Sequence, residues 1–150
     1  DLDSYPNLVV LRTLSKSHAA AGLRCGVAVA RADVTELLLR VLAPYPLPQP
    51  VVAAALAILQ PTNMDKLAER RADILARRQN YEARFEAHDD VVRVLPSDAN
   101  YLLLIVRDAA EFCARAAAHG IILRDQSHQP NLANSVRISI GSVEDMDLLF

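Results

Sequence analysis

Apolar residues run unbroken through Leu8, Val9, Val10 and Leu11. A continuous run of this length predicts a strand over residues 7–12, buried on both faces as in a parallel sheet. A second short strand is expected over 25–30, where Gly26 keeps one side small. Residues 13–24, rich in Ser and Ala and containing Gly22, read as a loop or short helical turn at a strand end. The period then changes. Val34, Leu37, Leu38, Val41 and Leu42 fall on one helical face, and Asp33 with Glu36 three residues later is a capping pattern. Pro44, Pro46, Pro48 and Pro50 alternate around Tyr45, Leu47 and Gln49. Proline fixes φ and drives its predecessor to extended geometry, so this stretch is a stiff connector. A short buried helix is expected over 51–59.

Thr62 and Asp65 predict a second cap, opening a long charged helix to about Ala87. Its stripe is Leu67, Ile74, Tyr81 and Phe85, interrupted by Arg71 and Arg78, whose stems can cover apolar surface. A helix this long and polar is suited to joining two domains. Beyond it, strands are expected over 91–95 and 101–106, then a helix capped by Asp108 and Glu111 that ends at Gly120. A short strand over 121–123 leads into a polar loop reaching Asn134. In the strand over 135–140, Val136, Ile138 and Ile140 share one face, so Arg137 and Ser139 face the other way. The pattern predicts an α/β protein with residues 1–60 in one domain, a linking helix over 61–88 and a smaller domain over 89–150.

Composition narrows the function classes. A chain of 150 residues with 52% hydrophobic residues can bury about 70% of its unfolded surface without disulfides or metals. A formal charge of −2, with Lys and Arg dispersed, makes no electrostatic case for nucleic acid or a membrane surface. The longest apolar run is half a membrane span. Asp1-Leu2-Asp3-Ser4 does not read as a signal peptide. The absence of an initiator Met and a final helix that stops at Phe150 suggest a piece of something longer. Cys25 and Cys113 form no metal or redox spacing and read as buried free thiols. His18, His88, His119 and His128 lack metal-ligand spacing, and no GxGxxG or P-loop exists. Asp33, Asp65, Asp108 and Asp145 read as helix-start groups rather than catalytic pairs.

The segment with most chemistry is Thr13-Leu14-Ser15-Lys16-Ser17-His18-Ala19-Ala20-Ala21-Gly22-Leu23-Arg24. A lysine just past a strand, among small hydroxyl residues and followed by an arginine, suits a phosphate-bearing carbonyl compound. The amine can form a Schiff base, and Ser15 and Arg24 can donate charge-assisted hydrogen bonds to a phosphate. The alternative is a solvated loop lysine and an arginine in a surface ion pair.

This segment, with Ala-Gly-Leu-Arg-Cys-Gly at its end, resembles the lysine site of the fold-type-I pyridoxal-phosphate-dependent aminotransferases, in the branch containing the histidinol-phosphate aminotransferases. The resemblance continues in the family's order through Ala43-Pro44-Tyr45-Pro46-Leu47, Asn100-Tyr101, Gly120-Ile121-Ile122-Leu123-Arg124-Asp125-Gln126 and Val136-Arg137-Ile138-Ser139-Ile140-Gly141. It implies pyridoxal 5'-phosphate as cofactor, with Lys16 as the lysine that binds it and moves the proton, and Ser15 and Arg24 on its phosphate. Arg137 matches the arginine for the substrate's far acidic group, and Arg124 a second arginine that helps hold a substrate phosphate. The implied reaction exchanges an amino group between histidinol phosphate or imidazole-acetol phosphate and glutamate or 2-oxoglutarate, in histidine biosynthesis. A cytoplasmic homodimer is implied for the full-length enzyme. His18 departs from the bulky apolar residue expected beside the lysine. The ring that stacks on the cofactor and the acid that pairs with its nitrogen have no counterpart in this chain. A phosphothreonine-type decarboxylase and a non-catalytic module remain as alternatives.

Overall fold

The computed structural model describes residues 2–150, which divide into two compact units, the first ending at Glu69 and the second beginning at Arg70. The division falls inside the longest helix.

In the first unit, β1 (Val10–Thr13) and β2 (Gly26–Val29) form an antiparallel pair, with Val10 opposite Val29 and Thr13 opposite Gly26. The expected buried parallel strand is therefore corrected: both strands are exposed along their length, with Leu11 at 76%. The reason lies in the connection. It is a loop with one 3-10 turn (Ala21–Leu23), which folds straight back, whereas parallel neighbours need a long crossover. Gly26 is required by close approach, since a Cβ there would stand 3.1 Å from the Arg12 carbonyl. The core of this unit is small: Leu14, Ala20, Cys25 and Ala55 are buried, flanked by Leu23, Val51 and Ile58.

Helix α1 (Ala32–Val41) starts one residue before Asp33, so Asp33 is not its cap; the cap position is Arg31, whose Nε pairs with Asp33 at 3.5 Å. Asp33 still meets the positive end of the helix dipole from within the first turn. Residues 42–48 are irregular, and α2 (Gln49–Ile58) begins with Pro50 in its first turn, where the missing N–H costs nothing. Only Ala55 of α2 is buried, so the expectation of a buried helix is also corrected. Helix α3 (Pro61–Glu86) likewise starts at Pro61, placing Thr62 inside the first turn rather than at the cap.

The second unit is an antiparallel sheet of order β3-β4-β6-β5, formed by β3 (Val91–Leu95), β4 (Tyr101–Val106), β5 (Arg124–Asp125) and β6 (Ser135–Ser139). Strict alternation sends Leu102, Leu104, Val106, Val136 and Ile138 into one core with Tyr81, Phe85, Phe112 and Met146. Arg78, the interruption in the helical stripe, is itself buried and donates to the Ala99 carbonyl at 2.8 Å. Helix α4 (Ala109–Ala118) is capped as expected, with the Asp108 carboxylate accepting from the Glu111 N–H at 2.9 Å. Its other end is a Schellman stop: Gly120, at φ 82°, donates to Ala117 and Ile121 donates to Ala116. That stop moves the next strand. The Ile121 N–H is already used and Ile122 is 84% exposed, so pairing begins at Arg124 instead of over 121–123. A capping box between Ser142 and Asp145 opens α5 (Val143–Asp147).

Among the described residues, no helix is long and apolar enough to cross a membrane, and no group of His, Cys, Asp and Glu is placed to hold a metal. Both cysteines are free; Cys25 is buried, and burial pushes the half-buried Cys113 thiol up from its ordinary pKa.

Candidate functional site

Ser15, Lys16 and Arg24 belong to the first unit, Arg124 and Arg137 to the second. The lysine loop leaves β1 and is closed at its neck by backbone bonds. Leu14 donates to the Cys25 carbonyl at 3.1 Å, and Ala20 donates back to the Leu14 carbonyl at 3.0 Å. Because Leu14 and Ala20 are also buried, the neck is anchored by packing as well. Between them Ala19 adopts φ 53° and donates to the Lys16 carbonyl at 2.9 Å, a tight turn that leaves Lys16 exposed. The Thr13 hydroxyl accepts the Ser15 N–H at 3.0 Å, and the Ser15 side chain is half-buried. Beside the lysine, Ser17 Oγ lies 3.1 Å from His18 Nδ1.

Arg24 follows the 3-10 turn in a left-handed conformation, φ 50°, with its guanidinium donating to the Ala21 carbonyl at 3.1 Å. A non-glycine residue held there is uncommon and costs conformational energy, so its surroundings fix it. Among the described residues, no ion pair involves Lys16 or Arg24, and residues 13–24 contain no carboxylate. The segment offers an amine, a hydroxyl and a guanidinium with no acid among them, donor chemistry that suits a carbonyl compound bearing a phosphate. Of the alternative, the exposed loop lysine is what the structure holds, whereas Arg24 has no ion pair among the described residues.

In the second unit, Arg124 stands directly opposite Arg137 across β5 and β6. Both line a cleft of about 290 Å³ with Ile121, Leu123, Ser139 and Gly141. Like charges opposite one another on neighbouring strands repel, and neither arginine has an ion pair among the described residues. The nearby acids are engaged elsewhere. Asp125 accepts the Ser127 N–H at 2.7 Å, and Ser127 holds its carboxyl below the ordinary range. Asp145 accepts from the Ser142 hydroxyl at 2.9 Å. Asp145 also lines the cleft, but it forms no ion pair with either arginine among the described residues, and two guanidinium groups in one concave site can bind an anion with two or more acceptor oxygens.

One member of this cleft's surroundings is not apparent from the sequence. The Arg137 guanidinium carbon lies 5.2 Å from the centre of the Tyr101 ring. The phase of the two strands puts both side chains on the face away from the core, but their contact needs β4 and β6 to be neighbours, which periodicity does not say.

The sequence matches the family described as aminotransferase class I and II over residues 1–150. It is 45% identical over 148 residues to histidinol-phosphate aminotransferase 2 of Idiomarina loihiensis, covering 99% of this chain and 41% of the relative. The solved histidinol-phosphate aminotransferase of Sinorhizobium meliloti, in complex with pyridoxal-5'-phosphate, is similar at a TM-score of 0.79 and 28% identity, over 96% of this chain and 39% of that one. An L-threonine-O-3-phosphate decarboxylase from Porphyromonas gingivalis is similar at a TM-score of 0.76 and 24% identity, over 99% of this chain and 46% of that one, a likeness of fold alone. The chain thus spans about two fifths of the length of the curated relative.

Proposed function

The chain belongs to the aminotransferase class I and II family, and from that premise we propose that it is part of a histidinol-phosphate aminotransferase. The enzyme exchanges an amino group between histidinol phosphate or imidazole-acetol phosphate and glutamate or 2-oxoglutarate, in histidine biosynthesis. The observation that carries this reading is the Arg124–Arg137 pair, two cations in one cleft whose one lining carboxylate, Asp145, is bonded to Ser142, in a chain 45% identical to a protein of that name.

The implied cofactor is pyridoxal 5'-phosphate, and the donor set of the lysine loop fits it. When bound, it supplies an electron sink for the bond being broken at the substrate carbon. Lys16 would hold the group through its side-chain amine and would move the proton at the substrate carbon. Ser15 and Arg24 hold its phosphate. Arg124 and Arg137 bind and orient the substrate's distal anion, phosphate in one half-reaction and carboxylate in the other. In domain terms, residues 1–60 are the end of the large cofactor domain, 61–88 the linking helix and 89–150 the small domain. Apolar residues left exposed on β1, β2 and α1, among them Leu11, Val27, Leu37 and Val41, suit a surface covered by the rest of the enzyme or by a second copy, and the same reading takes the full-length enzyme as a cytoplasmic homodimer.

A decarboxylase of phosphorylated threonine is the rival, and it rests on fold alone. The deciding measurement uses the intact enzyme with each substrate. Amino transfer from histidinol phosphate to 2-oxoglutarate is expected, whereas release of carbon dioxide from phosphothreonine without amino transfer would reverse the assignment.

A further inference from the structure

Arg137 would ordinarily need a carboxylate to hold its flexible guanidinium in one direction, yet a carboxylate would also cancel the charge that an anion site requires. The structure meets this conflict with an aromatic face. In the β4–β6 register Arg137 stands opposite Leu103, and Ser139 opposite Tyr101. Tyr101 and Arg137 are therefore diagonal neighbours on one sheet face, a separation that an aromatic ring and a long side chain can bridge. The 5.2 Å from guanidinium carbon to ring centre lies within cation–π range.

The backbone that carries the ring is itself held in place. The Tyr101 carbonyl accepts the Ser97 hydroxyl at 2.6 Å, and that hydroxyl accepts the Ala99 N–H at 3.1 Å. The Ala99 carbonyl takes the buried Arg78 guanidinium from α3. On the other side the Ile140 N–H donates to the Asn100 carbonyl at 2.9 Å, tying the start of β4 to the end of β6. The strand start that carries the ring is thus fixed on both sides before any ligand arrives.

We propose that Tyr101 is a positioning residue of the anion cleft, its ring face orienting the Arg137 guanidinium while leaving that cation's charge free for the substrate's phosphate or carboxylate. The proposal rests on the reading of Arg124 and Arg137 as the substrate-anion site. An aromatic support restrains the guanidinium at little cost in rotamer entropy and offers no oxygen that would compete with the ligand. The hydroxyl of Tyr101 has no part in this, so phenylalanine is expected to serve equally.

The test uses the cofactor-saturated, intact enzyme and inorganic phosphate as a competitive inhibitor against the anionic substrate. Tyr101→Leu or Tyr101→Thr should weaken phosphate inhibition and raise KM by about two- to fivefold, the range expected for one guanidinium–ring contact. In the same variants kcat should be little changed, and Tyr101→Phe should retain the parental inhibition constant. Tyr101 is half-buried on the face away from the core, so either truncation serves if the other does not fold. Unchanged inhibition in a folded Leu or Thr variant, with inhibition lost in Arg137→Ala, overturns the role of Tyr101 alone. Loss in Tyr101→Phe equal to that in Tyr101→Leu also overturns it, since the ring would not be the acting group. Unchanged inhibition in Arg137→Ala removes the underlying anion-site reading.

Discussion

Replacing Arg137 with alanine in the intact enzyme separates binding from folding, because the structure predicts different outcomes for the two. For folding, the substitution removes a ring contact at a half-exposed site, worth about 0.5–1 kcal/mol. It also removes a like-charge repulsion with Arg124 directly across the strand pair, of about 0.2–1 kcal/mol and opposite in sign. The two nearly cancel, so the thermal midpoint should barely move. For catalysis, the variant loses a charged hydrogen-bonding partner of the substrate anion, about 2 kcal/mol or more, which is about thirtyfold in kcat/KM. Both half-reactions should suffer, since glutamate and histidinol phosphate each present an anion to the same site. Arg124→Ala should harm the phosphorylated substrate more than glutamate, because phosphate has more oxygens to share between two guanidinium groups. Single-turnover kinetics of each half-reaction, beside a thermal melt, measure all of this. Unchanged kcat/KM for both substrates in Arg137→Ala would refute the anion cleft.

Four further outcomes are expected. Borohydride reduction of the intact holoenzyme followed by peptide mapping should label Lys16; a label on Lys66, the other lysine of these 150 residues, or on any lysine outside them, would overturn the assignment. The 150-residue chain by itself should show little or no transamination, since the ring-stacking and nitrogen-pairing groups have no counterpart in it, and substantial turnover by purified chain would contradict that account. Arg78→Ala should lower stability by about 1–3 kcal/mol in a denaturant titration, because it leaves the Ala99 carbonyl without its donor; a midpoint within error of the parent would show that the bond contributes nothing. The Asp147 carboxyl is held below its ordinary pKa first by the Arg84 hydrogen bond and then by Tyr81. Its contribution to stability is therefore present above the ordinary carboxylate range and lost as pH falls through the lowered value. Asp147→Asn should lose stability at neutral pH and show a shallower acid dependence as pH falls below the ordinary carboxylate range, and identical melting-against-pH curves would exclude the linkage.

The second unit is largely legible in the sequence. The alternation of Leu102, Leu104 and Val106, and of Val136 and Ile138, specifies which face is buried wherever one side of a sheet is covered. Asp108 and Ser142 announce their helices because short polar side chains satisfy orphan N–H groups. The first unit is less legible, because an unbroken apolar run such as Leu8 to Leu11 says that the chain avoids water, not what covers it. Its antiparallel pairing is set by the loop between the strands, a property of chain length rather than hydropathy. The helix starts at Arg31 and Pro61 are missed for a different reason: proline and extended backbone compete with carboxylates for the same terminus. For the candidate site, composition makes the segment of Ser15, Lys16 and Arg24 suggestive and strand phase turns Arg137 away from the core, but the roles given to these residues and to Arg124 come from the family resemblance. Tyr101 does not stand out, since its contact depends on strand order.

The Schellman stop at the end of α4 also makes the cleft's charge a matter of counting. Gly120 and Ile121 are committed to the helix, and Ile122 and Leu123 are the spacer that brings Arg124, not Asp125, opposite Arg137. The Ile122 side chain can drift at little cost, as its exposure allows, whereas Leu123 packs against the core and the spacer's length is fixed. Deleting one spacer residue would slide Asp125 into the place of Arg124 and convert a receptor for anions into a closed internal salt bridge, with every other side chain unchanged. Descendants of this sequence are therefore expected to vary freely at position 122 and to keep position 123 apolar, and hardly ever to insert or delete a residue between them.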